Sequence, residues 1–491
     1  MPAVNNRSSS LIAQGWSSAR LQRLDYLALC LAALLFVYGA AVRLIALYER
    51  PFTADESAFA TVAYRIAING EYRYHPWFHG PLFHYLNATF FSLFGATDKI
   101  VRLPVVLIGI ALLSLALPLA RIRGSRVGLA FLALTALSPT YAFLSREVRG
   151  DTLVLLLVSG CLLLALHSSP RAVATFVLLA AAAAATKVTA IITLGIAGVA
   201  VLIVAPKAVF RRLRALSKQD LIVAGIAIIV GVFLLIFLHT GFGAHLKDWN
   251  ALWRAAFAWL YLQAHPHHPG GFLYFPGLLA VYEPFICVLA LTALGCLMRD
   301  PWCRFLALFF AGSLAFYGWA QEKVPNLVLY PLLPATFLAA ELLGSIRRRS
   351  LLWVTAAALL VTALVQARVV RRSGILDFER PSRLEALAHG TMSPQLPVFV
   401  ERVLARSEGR VVAADRLFQL LLAWPLRGQT IQPLDQAPAV ALRVAQSLGG
   451  EVVLCAWVPV WEEASMRQLL DYVLTQEAFG EFSCQFGAIG P

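Results

Sequence analysis

Charge is what this sequence has little of. Lys, Arg, Asp and Glu together make up 14% of its 491 residues, against roughly 25% in a soluble domain. Hydrophobic residues make up 59%, and mean hydropathy is +0.72. That scarcity excludes a soluble enzyme on a single anchor and indicates a polytopic membrane protein. No cleavable leader is expected either. The first apolar run is too long and has no small-residue cleavage site behind it, so it is expected to stay as a membrane helix. There is no continuous basic stripe either. A formal net charge of +14 would suit nucleic acid, but the cations fall in short clusters between apolar runs, so nucleic acid is not an expected partner. Apart from Lys187, few ionisable residues interrupt the apolar runs, which argues against an ion or solute pathway.

Cysteine offers no framework. Of the seven, Cys30, Cys161, Cys287 and Cys296 lie in apolar runs and Cys303 at the edge of one, and all read as small buried hydrophobes. Cys455 and Cys484 lie in the C-terminal tail. They are free to pair if that tail is outside the cytoplasm, although spacing alone does not fix connectivity.

Eleven apolar runs are present, each near the roughly 20 residues that a span needs. They cover about 26–47, 100–119, 128–144, 152–166, 172–186, 188–205, 221–238, 277–298, 305–319, 327–346 and 351–365. The expected fold is an all-α polytopic membrane protein with about 11 transmembrane helices. Residues 1–25 form a polar tail, 26–367 the transmembrane domain, and 374–491 a small α/β domain. That last domain has strands near Arg410–Asp415 and Glu451–Val458, helices near Phe418–Trp424 and Trp461–Leu474, and no phosphate loop or nucleotide fingerprint. Basic clusters follow the second, sixth, eighth and tenth runs and also mark the N-terminal tail. With that tail cytoplasmic, all five clusters face inside. The expected location is the cell membrane, with the C-terminal domain extracytoplasmic.

This topology puts every chemically distinctive stretch on the outer side. The first outer loop, residues 48–99, carries the adjacent acids Asp55 and Glu56. Short interfacial helices are expected over Glu56–Ile68 and Pro81–Phe94, with His75, Trp77, His79 and His84 between or within them. The acids fit two readings. They can be an N-cap and first-turn acid behind Thr53, or a general base with an orienting or metal-holding neighbour.

The turn S-R-E-V-R-G-D places Arg146 and Arg149 three residues apart, on one face if helical. Glu147 and Asp151 either brace that turn or meet substrate. Two guanidiniums on the outer side suit a phosphate. Lys187 and Lys323 are lone cations at other outer helix ends, and read as snorkelling side chains or phosphate ligands. The second large loop, 239–275, holds His265, His267 and His268 before Tyr274, and Glu322 stands opposite in Q-E-K-V-P-N. These groups are expected to hydrogen-bond or stack on sugar or phosphate. A divalent metal is an alternative, although Pro266 breaks any helical ligand spacing.

T-A-D-E-S-A after the first span, with S-R-E-V-R-G-D in the next outer turn, resembles the GT-C glycosyltransferase superfamily. That superfamily includes protein O-mannosyltransferases, the lipid A aminoarabinose transferase and oligosaccharyltransferases. F-G-A-T-D-K-I-V-R-L-P, H-P-G-G-F-L-Y-F-P and Q-E-K-V-P-N-L-V-L-Y-P-L-L-P add a likeness to the flippase-activity-associated membrane family of archaeal N-glycosylation. The likeness covers about residues 30–345. Where that family has T-K-E, this chain has T-K-V after the fifth run, so no carboxylate follows Lys187. The resemblance implies transfer of a sugar from a polyprenyl-phosphate-linked donor to a glycan, lipid or protein hydroxyl, among membrane lipids. Asp55 would be the base or metal-site acid, assisted by Glu56. Arg146, Arg149, Lys187 and Lys323 would hold the donor phosphate. The narrower family implies instead a non-catalytic accessory role in moving lipid-linked sugars.

Overall fold

The structure is a computed structural model. It describes residues 26–45, 47, 52–167, 169–214, 217–266, 268–346, 349–370, 405, 411–414, 423–427, 431–433, 452–457, 475–479 and 482–487. The chain opens with helix α1 (Tyr26–Leu44). The stretch expected to be the first outer loop follows, with α2 (Ala54–Asn69), a 3-10 turn (Pro76–Phe78), α3 (Pro81–Phe94) and α4 (Asp98–Val101). Then come α5 (Leu103–Ser114), α6 (Ala116–Arg123), α7 (Ser125–Leu137), α8 (Pro139–Leu144), α9 (Asp151–Ala165), α10 (Pro170–Thr186), α11 (Val188–Val204), α12 (Pro206–Arg214) and α13 (Lys218–His239). After the second loop helix α14 (Ala251–Ala264) come α15 (Tyr274–Tyr282), α16 (Pro284–Cys296), α17 (Pro301–Trp319), α18 (Leu329–Ser345) and α19 (Arg349–Val370).

Each apolar run is helical, and the two helices expected in the first loop form as α2 and α3. Burial divides the helices into two kinds. Helix α18 is packed on nearly all sides by α7, α16 and α17, and every residue from Leu329 to Leu343 is buried. Helix α13 is the opposite case. Ile222, Ile229 and Phe233 are all more than half exposed there, as suits a helix whose solvent is lipid. Cys30 and Cys296 are likewise exposed, unlike the buried Cys161 and Cys303.

By length and apolarity, three described stretches suffice to cross a membrane: Asp98–Arg123, Lys218–His239 and Pro325–Ser345. A fourth is the bent pair of α15 and α16, and six other apolar helices are shorter. Two expected spans are broken. The run 128–144 divides at Ser138-Pro139, and the run 277–298 bends by 109° at Glu283-Pro284. Proline cannot continue the ladder of the turn before it, and the freed groups find each other. Glu283 accepts the Thr140 N–H at 2.9 Å and the Ser138 hydroxyl, while Gln366 of α19 donates to the carbonyls of Ala136 and Ser138.

In the C-terminal part the strands β1 (Val411–Ala414), β2 (Ile431–Pro433), β3 (Val452–Trp457), β4 (Thr475–Phe479) and β5 (Phe482–Gly487) form one sheet of order β2-β1-β3-β5-β4. β1 pairs in parallel with β2 and β3, and β5 runs antiparallel to β3 and β4. The helix expected over Trp461–Leu474 lies outside the described residues. So does Phe418–Trp424 apart from its end, where residues 423–427 make a turn.

The first outer loop is anchored by Glu56, not left open by it. Thr53 and Glu56 form a capping box at the start of α2, and Gly70 ends the helix in the left-handed region at φ +67°. The Glu56 carboxylate also takes both the Nε and the Nη2 of Arg102 at 2.9 Å, and the Val148 N–H at 3.2 Å. Arg102 in turn donates Nη1 to the Leu47 carbonyl at 3.0 Å. One buried pair therefore joins the end of α1, the start of α2, the entry to α5 and the S-R-E-V-R-G-D turn. Glu56 is 0% exposed. The expectation that it works beside Asp55 as a catalytic acid gives way to the capping reading, because its oxygens are already engaged.

Two outcomes follow from this geometry. Arg102→Met leaves a carboxylate buried without its cation and should cost roughly 3–5 kcal/mol, read as a fall in thermal unfolding temperature in detergent. The Glu56→Met/Arg102→Met pair should lose less than the two single losses added. In the sheet, Cys455 is the register partner of Cys484 across β3 and β5.

Candidate active site

Asp55 is the second residue of α2, so its carboxylate lies at the positive end of the helix dipole. It is half exposed, at 50% for the side chain, whereas the residue beside it is sealed. Its Oδ2 lies 2.8 Å from Nη1 of Arg149. Arg149 turns its Nε toward Asp151 Oδ2 at 3.8 Å, beyond hydrogen-bond reach, and that Nε is buried without an acceptor.

Asp151, the first residue of α9, is saturated. It accepts from Lys187 Nζ at 2.8 and 3.0 Å, from Asn326 Nδ2 at 2.8 Å and from the Tyr330 hydroxyl at 2.8 Å. Tyr330 is itself held by the Thr189 hydroxyl and stacks on Tyr317. The result is a ladder of alternating charge: Asp55, Arg149, Asp151, Lys187. It runs from the half-exposed mouth of the site into the protein.

The backbone explains why these groups meet. Lys187 is a single extended residue between α10 and α11. With helix on either side, its side chain is buried at 5% exposure. The last carbonyl of α10, on Thr186, would be an orphan, and it is taken by the Gly80 N–H at 3.0 Å. Gly80 comes so close that a Cβ there would stand 2.1 Å from the Ala185 carbonyl oxygen. That contact seats His79 beside the ladder with φ +62°, in the left-handed region that non-glycine residues rarely adopt.

Charges set the protonation of these loop groups. Burial, then the Lys187 ammonium, pushes His79 well below the usual histidine range, so it is a neutral imidazole at neutral pH. Burial alone would raise the Asp151 carboxyl, but Lys187 and Arg149 overcome it and hold that group below the ordinary carboxylate range. Burial lowers Lys187 by more than Asp151 restores. Burial also opposes the Arg149 charge, and the carboxylates of Asp55 and Asp151 outweigh it.

The other expected site residues are placed differently. Arg146 does not share a face with Arg149, because residues 145–150 form turns rather than helix. Its Nη1 donates to the carbonyls of Val42 and Ile45 at 2.7 and 2.8 Å, closing the end of α1. Lys323 is used in the same way. Its ammonium donates to the carbonyls of Tyr317, Gly318 and Ala320 at the end of α17. A lysine on the last carbonyls of a helix is a C-terminal cap, so neither cation is placed to hold a donor phosphate.

Glu147 is buried in the turn, and its carbonyl accepts the Arg149 N–H. Glu322 accepts the His268 N–H at 3.4 Å in a short antiparallel bridge between the two outer stretches. Trp77 meets Tyr261, and Tyr261 stacks on His265 at 4.5 Å. His75 is exposed, with its imidazole lowered by partial burial and by Arg254. Tyr274 packs edge-on against Phe275. His267 lies outside the described residues. Among the described residues no group of three or more His, Cys, Asp or Glu is arranged for a metal.

Three residues of the site escaped the reading of the sequence as site residues: Arg102, Asn326 and Tyr330. All lie in stretches that carried the resemblance. Asn326 and Tyr330 are four apart just after Pro325, a spacing that puts two side chains on one helical face.

Most of the chain superposes on ArnT from Cupriavidus metallidurans bound to undecaprenyl phosphate. The TM-score is 0.67 at 16% identity, over 94% of this chain and 99% of that one. The apo state of the same protein gives 0.65 at 15% identity. The chain shares the fold of these ArnT structures. The Archaeoglobus fulgidus oligosaccharyltransferase, tethered to an acceptor peptide containing the NVT sequon, gives 0.58 at 10% identity over 95% of this chain and 74% of that one. No family model and no curated protein matches the sequence. Within this fold the ladder joins the first outer loop, the S-R-E-V-R-G-D turn, the α10–α11 link and the entry to α18.

Asp151→Asn leaves Lys187 a buried, half-compensated charge and should cost roughly 3–5 kcal/mol of stability at pH 7. Asp151 is a carboxylate with a depressed folded pKa. Its contribution is therefore present above the unfolded value of roughly 4 and is lost as pH falls through the lower folded value. Thermal unfolding followed from pH 7 to pH 5 should show the wild-type advantage over Asp151→Asn unchanged. It should narrow only below that window.

Proposed function

We propose that this chain is a GT-C-type glycosyltransferase. It moves a sugar from a polyprenyl-phosphate-linked donor to an acceptor hydroxyl on the outer side of the cell membrane, with the N-terminus cytoplasmic and the C-terminal part extracytoplasmic. The observation that carries this reading is the Arg149 guanidinium. It stands between a half-exposed carboxylate and a saturated one, with a buried Nε that lacks an acceptor. An arginine fork so placed suits a phosphate oxygen. That a protein of the same fold was solved with undecaprenyl phosphate supports the choice of carrier.

In the proposed reaction the carrier phosphate binds at Arg149, with the Lys187 charge behind it. The acceptor hydroxyl oxygen attacks the anomeric carbon, and the bond from that carbon to the phosphate oxygen breaks. The electron pair leaves on the polyprenyl phosphate, whose added charge Arg149 stabilises. The hydroxyl proton passes to Asp55 as general base. Neutral His79 at the rim of the ladder would hydrogen-bond sugar or phosphate. The acceptor class stays as broad as glycan, lipid or protein.

Asp55→Asn should lower transfer of label from a polyprenyl-phosphate sugar by about 10²–10⁴-fold, with an unchanged unfolding temperature. Arg149→Met should weaken donor binding as well as rate. Undiminished transfer in Asp55→Asn removes the base assignment. If liposomes containing the purified protein move the labelled lipid across the bilayer and transfer nothing, the accessory reading replaces the catalytic one.

A further inference from the structure

Trp424 lies far along the chain from the first outer loop, yet it is 1% exposed and buried inside that loop. Its ring lies among Phe52, Tyr64 and Phe91, with centroids at 6.2, 6.2 and 5.4 Å. Its indole N–H donates to Asp98 Oδ1 at 2.6 Å, and its backbone N–H donates to the Ser57 hydroxyl at 2.9 Å. Arg427 closes the top. Its guanidinium lies 4.4 Å above the Trp424 ring and 5.6 Å from that of Tyr64, and it donates to the Ala96 carbonyl.

The two hydrogen bonds go to opposite ends of the loop. Ser57 is in the first turn of α2, two residues past Asp55, and Asp98 opens α4 where the loop returns. A buried tryptophan removes roughly 150–250 Å² from water, and its N–H needs an acceptor there. We infer that Trp424 is a positioning residue: by stapling the first turn of α2 to α4, it fixes the direction in which Asp55 faces Arg149. This rests on the transfer reading only for its kinetic consequence. The mechanical claim stands on the contacts.

The side of α2 that carries Glu56 is fixed by Arg102 from below. The half-exposed Asp55 side has one described tether, to Arg149 across the site, and that cation is also the proposed phosphate ligand. When phosphate draws on Arg149, Asp55 depends on the backbone of α2 for its place. Trp424 supplies that rigidity from the C-terminal part of the chain, so docking of this segment completes the site.

The test uses the full-length protein in detergent and compares Trp424→Ala, Trp424→Phe and Ser57→Ala with wild type. Hydrogen–deuterium exchange over residues 54–69 should speed up by about tenfold in Trp424→Ala, with α9, α10 and α18 unchanged. Trp424→Phe keeps the ring and loses the indole donor, so it should fall between. In the transfer assay Trp424→Ala should lower kcat by about 10²-fold and leave the donor KM in place, because the cations that would meet phosphate are not on α2. If exchange over 54–69 does not change in Trp424→Ala, the inference fails, whatever the transfer assay gives. Exchange rising equally in every helix overturns it too, as does a donor KM that rises while kcat holds. If no transfer is found for wild type, the transferase reading fails and the exchange result alone decides on Trp424.

Discussion

An ammonium group placed between two apolar helices must find its counter-charge inside the protein. Lys187 is in that position. Separating it from Asp151 would cost several kcal/mol per ion in a low-dielectric interior, so the two elements that carry them are held in one register. Asp151 opens α9 and Lys187 divides α10 from α11, and Asn326 and Tyr330 bring in the start of α18. Gly80 then ties the first outer loop to the same link through the Thr186 carbonyl. Four separate stretches thus meet at one buried pair. Arg149, the next cation along, is left with hydrogen-bonding capacity that nothing in the described protein takes up.

Asp55 and Glu56 show how one helical step separates structure from chemistry. Successive residues on a helix point about 100° apart. One acid therefore turns into the protein, where it caps α2 and neutralises Arg102, while its neighbour turns to the mouth of the site. A carboxylate used for capping and for a bidentate arginine pair has no lone pair to spare for a substrate proton. Its neighbour at 50% exposure does. The capping reading is realised in Glu56, and the half-exposed Asp55 is the carboxylate left for the proposed base role.

The sequence made the helical skeleton legible because side-chain hydropathy is summed over a run. The same summing hides breaks. Pro139 and Pro284 were visible, but nothing local says that Glu283 in one run would cap Ser138 and Thr140 in another. Arg149, Asp151 and Lys187 could be singled out because charge is rare in this chain and these charges fall at helix ends. Arg146 and Lys323 share that signature and were singled out with them. What distinguishes them is the backbone carbonyls they meet, at the ends of α1 and α17, and those are set by how the chain turns. Asn326 and Tyr330 went unread for the opposite reason: uncharged residues in an apolar context announce a site only once a buried carboxylate is seen beside them.

The placement of His79 supplies the last step. A non-glycine residue in the left-handed region costs of order 1 kcal/mol or more and persists only where its surroundings over-determine it. Here they do: Gly80 is pressed against the end of α10 on one side, and α3 begins at Pro81 on the other. The imidazole is thereby kept beside two cations and kept neutral, with a hydrogen-bond donor and an acceptor both available. A protonated histidine there would repel Lys187 and Arg149. The strained turn, the buried ion pair and the half-exposed Asp55 are one arrangement. Each charge in it is placed by a backbone constraint that the apolar helices alone would not impose.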